Sequence, residues 1–218
     1  MNQPQGHSPN INTPDYWNRV YREEWENGRV LSTEYSRDYG PIHDAIIELI
    51  PRDGVRVVDL ACGPGLLCRK IRQRRPASSV VGVDFSEYAI SRNRERDSGL
   101  GIDYRCLDIR TSLNSIEGPF DLVAMCEIIE HLERPETVVV AAMSLLRPGG
   151  RFILTCPHNE EIPDPEHLRI WGHDDLFHLL APYGDTVSFR HFPPPYFHGW
   201  MLAHLIKAAV RLPERGDS

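Results

Sequence analysis

Cysteine is scarce in this 218-residue chain: there are five, an odd number, with no Cys-x-x-Cys pair. That excludes a disulfide framework and a thiolate zinc knuckle, and points to a reduced, cytoplasmic protein. Long apolar runs are also lacking. The most apolar stretch, near the C-terminus, is broken by His198, Gly199, His204 and Lys207, short of the ~20 residues a spanning helix needs. Met1 to Pro14 has neither the basic nor the apolar region of a signal peptide. Surplus positive charge is absent too. Lys and Arg number 24 against 31 Asp and Glu, a net charge of −7, which argues against broad binding to a phosphate backbone. The chain does have 41% apolar residues and enough length to bury the core of one domain.

Residues 1–12 are polar and rich in Pro, Asn and Gln, and are expected to be disordered. Over 13–40 the composition turns aromatic and charged. Thr13-Pro14 supplies a helix cap and first position, and Trp17, Val20, Tyr21 and Trp25 recur at helical spacing. This cap either packs on the domain or forms a lid over a ligand. From 41 to 192 short β-branched runs alternate with amphipathic helices: strands near 55–60, 80–84, 102–107, 120–125, 151–155 and 186–192, with helices between. Such alternation predicts βαβ units, a mostly parallel sheet and helices on both faces.

The special residues fall at the strand ends, where open α/β sheets bind ligands. Val57-Val58-Asp59-Leu60-Ala61-Cys62-Gly63-Pro64-Gly65 runs a strand into Gly-x-Gly, where the missing Cβ allows close approach to a ligand. Cys68 stands where a third glycine would complete a dinucleotide fingerprint, so a pyrophosphate site is disfavoured. Asp84 ends the second strand and can accept from both hydroxyls of a ribose. Asp108 ends the third, placed to accept from an adenine amine. Any one of these acids could be a helix cap; three in register on consecutive strands argue for a site.

Together "VVDLACGPG", "VGVD", "CLDI", "FDLVAMCEIIEHLERPE" and "LLRPGGRFILTCP" resemble the class I S-adenosylmethionine-dependent methyltransferases, over about Pro41 to Leu180. The resemblance implies a Rossmann-like fold and S-adenosylmethionine as cofactor. It implies that Ala61, Gly63 and Gly65, with Asp59 on the strand leading in, hold the methionine part. Asp84 would hold the ribose with Phe85 beside the adenine, Asp108 the adenine amine with Ile109 alongside, and Cys126 would touch the cofactor.

Glu127, Glu130 and His131 are spaced to share one face of a helical turn. The stretch resembles two kinds of methyltransferase. In the quinone and natural-product type it implies His131 beside a small-molecule acceptor, as a catalytic base for O- or N-methylation. In RNA 3′-terminal 2′-O-methyltransferases it implies a divalent metal held by Glu127, Glu130, His131 and a later His, here His167. A simple loop cap is the bland reading, and a methyltransferase-like binding protein without catalysis is a third class. The acidic charge counts against RNA, and the basic run Arg69 to Arg75 reads as a solvated helix face. A small-molecule acceptor is therefore the favoured partner, with Tyr16, Tyr21, Glu127, His158, His167 and Trp171 as its expected pocket.

The end departs from the resemblance. After Pro193-Pro194-Pro195, a helix is expected over 196–210, within a 193–218 tail, and no seventh strand is evident. That helix could pack on the sheet, cover the acceptor, pair with another subunit or rest on a membrane surface.

Overall fold

The computed structural model describes residues 10–158, 164–192 and 199–208. The order is α1 (Pro14–Glu26), α2 (Thr33–Glu48), β1 (Arg56–Leu60), α3 (Leu66–Arg74), β2 (Ser79–Asp84), α4 (Glu87–Arg96), β3 (Asp103–Cys106), β4 (Phe120–Cys126), α5 (Pro135–Ser144), β5 (Leu146–Pro157), α6 (His173–Leu180), β6 (Gly184–Phe192) and β7 (Trp200–Lys207). The seven strands lie in the order β3-β2-β1-β4-β5-β7-β6. The first five pair parallel, while β7 runs antiparallel to both β5 and β6. Strand order reverses between β1 and β4, whose carboxyl ends form the switch point where such sheets bind ligands.

The predicted strands recur with shifts of a residue or two, except β5, which begins at Leu146, five residues ahead of the run expected at 151. Thr13 Oγ accepts from the Tyr16 amide, and Ser86 Oγ from Ala89. One hydrophobic cluster gathers under α5 and α6, the other under α2 and α3, so both sheet faces are covered and the inner strands are mostly apolar. No described helix is long and apolar enough to cross a membrane, and all five cysteines are free thiols.

Three expectations are corrected. The segment expected to be a helix over 196–210 is β7 where it is described. Trp200, Met201, Leu202, Ala203 and Leu205 are all buried between two strands, so apolar side chains are wanted on both faces and helical spacing is incidental. Residues 196–198 and 209–210 of that stretch lie outside the described residues. A seventh strand thus exists, and among the described residues no terminal helix remains to pair or to rest on a membrane. Second, Asn10 to Asn12, within the stretch expected to be disordered, are held in place, with Asn12 buried; residues 1–9 lie outside the described residues. Third, α2 is capped by Ser32, whose hydroxyl accepts from the Tyr35 amide, and continues through Pro41. The 40/41 boundary therefore falls inside one helix.

Candidate active site

The glycine loop is built from below. Gly63 and Gly65 have φ of +47° and +69°, the left-handed region that glycine enters without Cβ strain. The Gly63 carbonyl accepts from Asn93 Nδ2 at 2.8 Å, and the Pro64 carbonyl from Arg96 Nη1 at 2.8 Å. A Cβ on Gly65 would meet Tyr104 Oη at 2.6 Å, and one on Gly63 would meet Tyr21 Oη at 2.9 Å. At the place of the missing third glycine, fully buried Cys68 sets its Sγ 3.3 Å from Asp59 Oδ2. Two residues that are not glycine also have positive φ: Ala61 (62°) and Glu127 (52°). They leave the adjacent strands β1 and β4, and strain of this kind collects at functional sites.

Asp84 is 2% exposed. Its Oδ2 accepts from the Gly63 amide and its Oδ1 from the Ser86 amide, each at 2.8 Å. Burial pushes its carboxyl up to about 6, against the lowering effect of those amides. Burial likewise raises Asp59 to about 7. Asp108 is held down by Arg110, which donates from Nε at 2.9 Å and Nη2 at 2.6 Å. Asp84, Phe85, Asp108 and Ile109 line one narrow cleft of about 30 Å³, closed by Asn12, Trp17 and Arg110.

Beside it opens a chamber of about 330 Å³, lined by Asp59, Gly63, Tyr21, Cys126 and Glu127 on the loop side. Its far wall is aromatic: Tyr35, Tyr39 and Trp200, with ring centroids 4.4 Å apart for Tyr35–Tyr39 and 5.6 Å for Tyr39–Trp200. Six carboxylic residues line it against one arginine, Arg29, among the described residues. Cleft and chamber meet at Trp17, Ala61 and His131, which line both.

His131 sits in a short 3-10 turn, Ile129–His131. Its Nδ1 lies 3.1 Å from the Glu166 carbonyl; because a carbonyl only accepts, Nδ1 carries the proton and Nε2 keeps a lone pair. Burial, with His167 nearby, lowers its pKa to about 4. Trp17 places its ring edge on the imidazole, centroids 5.2 Å apart.

The expected sharing of one helical face by Glu127, Glu130 and His131 is not what forms. Glu127 leaves the strand with positive φ and accepts from Thr155 Oγ1 at 2.5 Å. Instead Glu130, His131 and His167 bring ligand atoms within 4.8 Å of one another. Of the pocket residues expected from sequence, Tyr21, Glu127 and His167 line the chamber, and Tyr16 bonds Glu166 at its rim. Trp171 is instead buried in the core beneath Arg169, and His158 packs its ring at a tilt against His191, centroids 4.6 Å apart. Neither lines the chamber. The basic run on α3 is engaged structurally, Arg69 with Asp97 and Lys70 with Asp44. Sequence reasoning missed Asn12, Arg110, Glu166, Tyr39 and Trp200; of these, only Tyr39, four places after Tyr35 on one helix face, had a spacing signal.

Residues 57–150 match the family model described as a methyltransferase domain. Ubiquinone biosynthesis O-methyltransferase of Pseudomonas aeruginosa is 31% identical over 167 residues, covering 72% of this chain and 69% of that one. Among solved structures, magnesium protoporphyrin IX methyltransferase from Synechocystis with bound S-adenosylhomocysteine superposes with a TM-score of 0.73 at 16% identity, covering 89% of this chain and 98% of that one. N-methyltransferase NodS from Bradyrhizobium japonicum, also with S-adenosylhomocysteine, gives 0.69 at 17% identity, covering 88% and 98%. The chain belongs to the class I S-adenosylmethionine-dependent methyltransferases.

Proposed function

We propose that this enzyme moves a methyl group from S-adenosylmethionine to a hydroxyl or amine of a small, ring-shaped, uncharged acceptor, in the reducing cytoplasm that its free thiols suit. One observation carries the reading: the cleft that gathers Asp84, Phe85, Asp108 and Ile109 and the aromatic chamber meet at Ala61, Trp17 and His131. The cofactor's adenosine belongs with Asp84, Phe85, Asp108 and Ile109, and its methionine part with Asp59, Ala61, Gly63, Gly65 and Cys126. The sulfonium then falls at the junction. Methyl transfer is an in-line displacement, so the protein's main task is alignment.

His131 is the residue placed to take the acceptor's proton through Nε2; being neutral at pH 7, it is in the receiving form. The acid-rich chamber favours a cationic donor and disfavours a carboxylated acceptor. The similar proteins act, by name, in ubiquinone biosynthesis as O-methyltransferases or as N-methyltransferases, which fits either acceptor atom and supports a small molecule over RNA. The test is transfer of labelled methyl from S-adenosylmethionine to a panel of phenols, catechols, aromatic amines and amino sugars, alongside RNA. Transfer to ring acceptors is expected; transfer only to RNA, or none with any member, contradicts the reading.

The cluster of Glu130, His131 and His167 favours a second reading. Its carboxylate and two imidazoles suit a divalent ion of the manganese or magnesium kind. Such an ion would polarise the acceptor oxygen, and His131 would then act as a ligand, with the Glu166 carbonyl fixing its ring. Loss of activity on chelation, restored by manganese, would select it.

A further inference from the structure

Three consecutive carbonyls of the glycine loop are gripped from one side. The Gly63 carbonyl accepts from Asn93 Nδ2 and the Pro64 carbonyl from Arg96 Nη1, each at 2.8 Å. The Gly65 carbonyl lies 3.2 Å from Tyr104 Oη. Gly63 and Pro64 line the chamber, whereas Asn93, Arg96 and Tyr104 do not, so the grip comes from behind the loop. Two of those donors, Arg96 and Tyr104, converge on one carboxylate. This is Asp97, just past the end of α4, with its side chain 1% exposed. Tyr104 Oη lies 2.9 Å from its Oδ2, and Arg69, on the helix that follows the loop, donates to its Oδ1 at 2.6 Å.

Arg96 meets Asp97 as a fork: Nε donates to Oδ1 at 2.9 Å and Nη2 to Oδ2. A guanidinium is planar and rigid, so a two-point contact fixes the direction of its third nitrogen. That nitrogen, Nη1, is the donor to the Pro64 carbonyl. The Trp25 ring of α1 lies against the same guanidinium, 5.4 Å from its carbon. The loop needs such restraint because it is soft. Gly63 and Gly65, on either side of Pro64, have positive φ, and glycine leaves such a conformation as readily as it enters it. A loop peptide that turned over would present its carbonyl oxygen to the chamber. The amino-acid arm of S-adenosylmethionine ends in a carboxylate, which a carbonyl oxygen repels.

We propose that Asp97 is a positioning residue for the cofactor's amino-acid arm, acting through the Arg96 guanidinium that it aims at the Pro64 carbonyl. Asp97 touches no ligand itself. It keeps the loop in the one arrangement that receives the arm, and leaves the nucleoside end of the site to Asp84 and Asp108. This rests on reading the glycine loop as the seat of the cofactor's methionine part.

The test compares two probes by calorimetry: S-adenosylhomocysteine, and 5′-methylthioadenosine, which has the same nucleoside without the amino-acid arm. Asp97→Asn keeps the side-chain volume but takes one charged oxygen from the fork. Arg96→Lys keeps the positive charge and loses the fork, so it guards against a misfolded Asp97 variant. Each should weaken S-adenosylhomocysteine roughly tenfold, the scale of one charge-assisted hydrogen bond, and leave 5′-methylthioadenosine within a factor of two. The double variant should bind S-adenosylhomocysteine within a factor of two of the weaker single one, because both changes break the same link. Wild-type affinity in folded variants overturns the proposal. So does an equal loss for both probes, which marks general packing, or a double variant weakened by the product of the two single effects. If wild type binds neither probe, the cofactor assignment beneath the proposal fails first and takes the proposal with it.

Discussion

Asp84, which we propose holds the cofactor's ribose, is a carboxylate oriented through both of its oxygens. Its oxygens are each aimed by a backbone amide, from Gly63 and Ser86, and burial lifts its pKa to about 6. Asp84→Ala should weaken S-adenosylhomocysteine binding by about 1.5–3 kcal/mol, the scale of hydrogen bonds to a charged group; calorimetry near pH 8 reads it, and unchanged affinity in a folded variant would remove Asp84 from the ribose. In wild type the affinity should also fall as pH drops through about 6, where the carboxyl takes up its proton. Asp84 was legible in the sequence because a β-branched run ends on it and a capping serine follows. Asn12 and Arg110 were not. Their roles depend on where the chain returns in space, and "NIN" and "DIR" carry no periodicity that says so.

At the scale of elements, the strand–loop–helix unit from β1 to α3 is the most demanding part of the fold. Gly65→Ala should cost about 1–2 kcal/mol from left-handed backbone strain, with more from the Tyr104 hydroxyl only 2.6 Å from the new Cβ. Denaturant melts should show this loss, and a neutral effect would mean that Tyr104 yields freely. The alternation of β1 through α5 was readable from period and caps, since parallel strands buried on both faces appear as short continuous apolar runs. The misread element, β7, has the same cause seen from the other side. "WMLAHLIK" is apolar enough to suit a buried helix or a buried strand, and periodicity alone does not separate the two. Its partners β5 and β6 decide the matter. Trp200 reaches the chamber because β7 returns beside β5, so one of the three rings of the aromatic wall was hidden in that misreading.

For the whole molecule, half-buried His43 and buried Asp59 give stability opposite dependences on pH. His43 is pushed down to about 3, by burial first and then by Lys70. A group with its folded pKa depressed contributes stability above its unfolded value of about 6.5, lost as pH falls from there toward 3. Asp59 is raised to about 7 by burial. Its contribution is full below its ordinary carboxyl range and is lost as pH rises toward 7. His43→Gln should therefore raise the melting temperature relative to wild type near pH 4 more than near pH 8, and Asp59→Asn the reverse. Parallel shifts at both pH values would contradict the burial of these groups in the folded chain.

The central claim is that His131 serves the acceptor at the junction of cleft and chamber. The most direct measurement is turnover of His131→Gln with a responsive ring acceptor, with and without EDTA, beside its affinity for S-adenosylhomocysteine. A base in that position predicts a loss of about 10²–10⁴-fold in turnover, cofactor affinity within a factor of a few, and wild-type activity that survives the chelator. Near-normal turnover in the folded variant would contradict the claim. Wild-type activity lost to EDTA and restored by manganese would assign His131 to a metal instead.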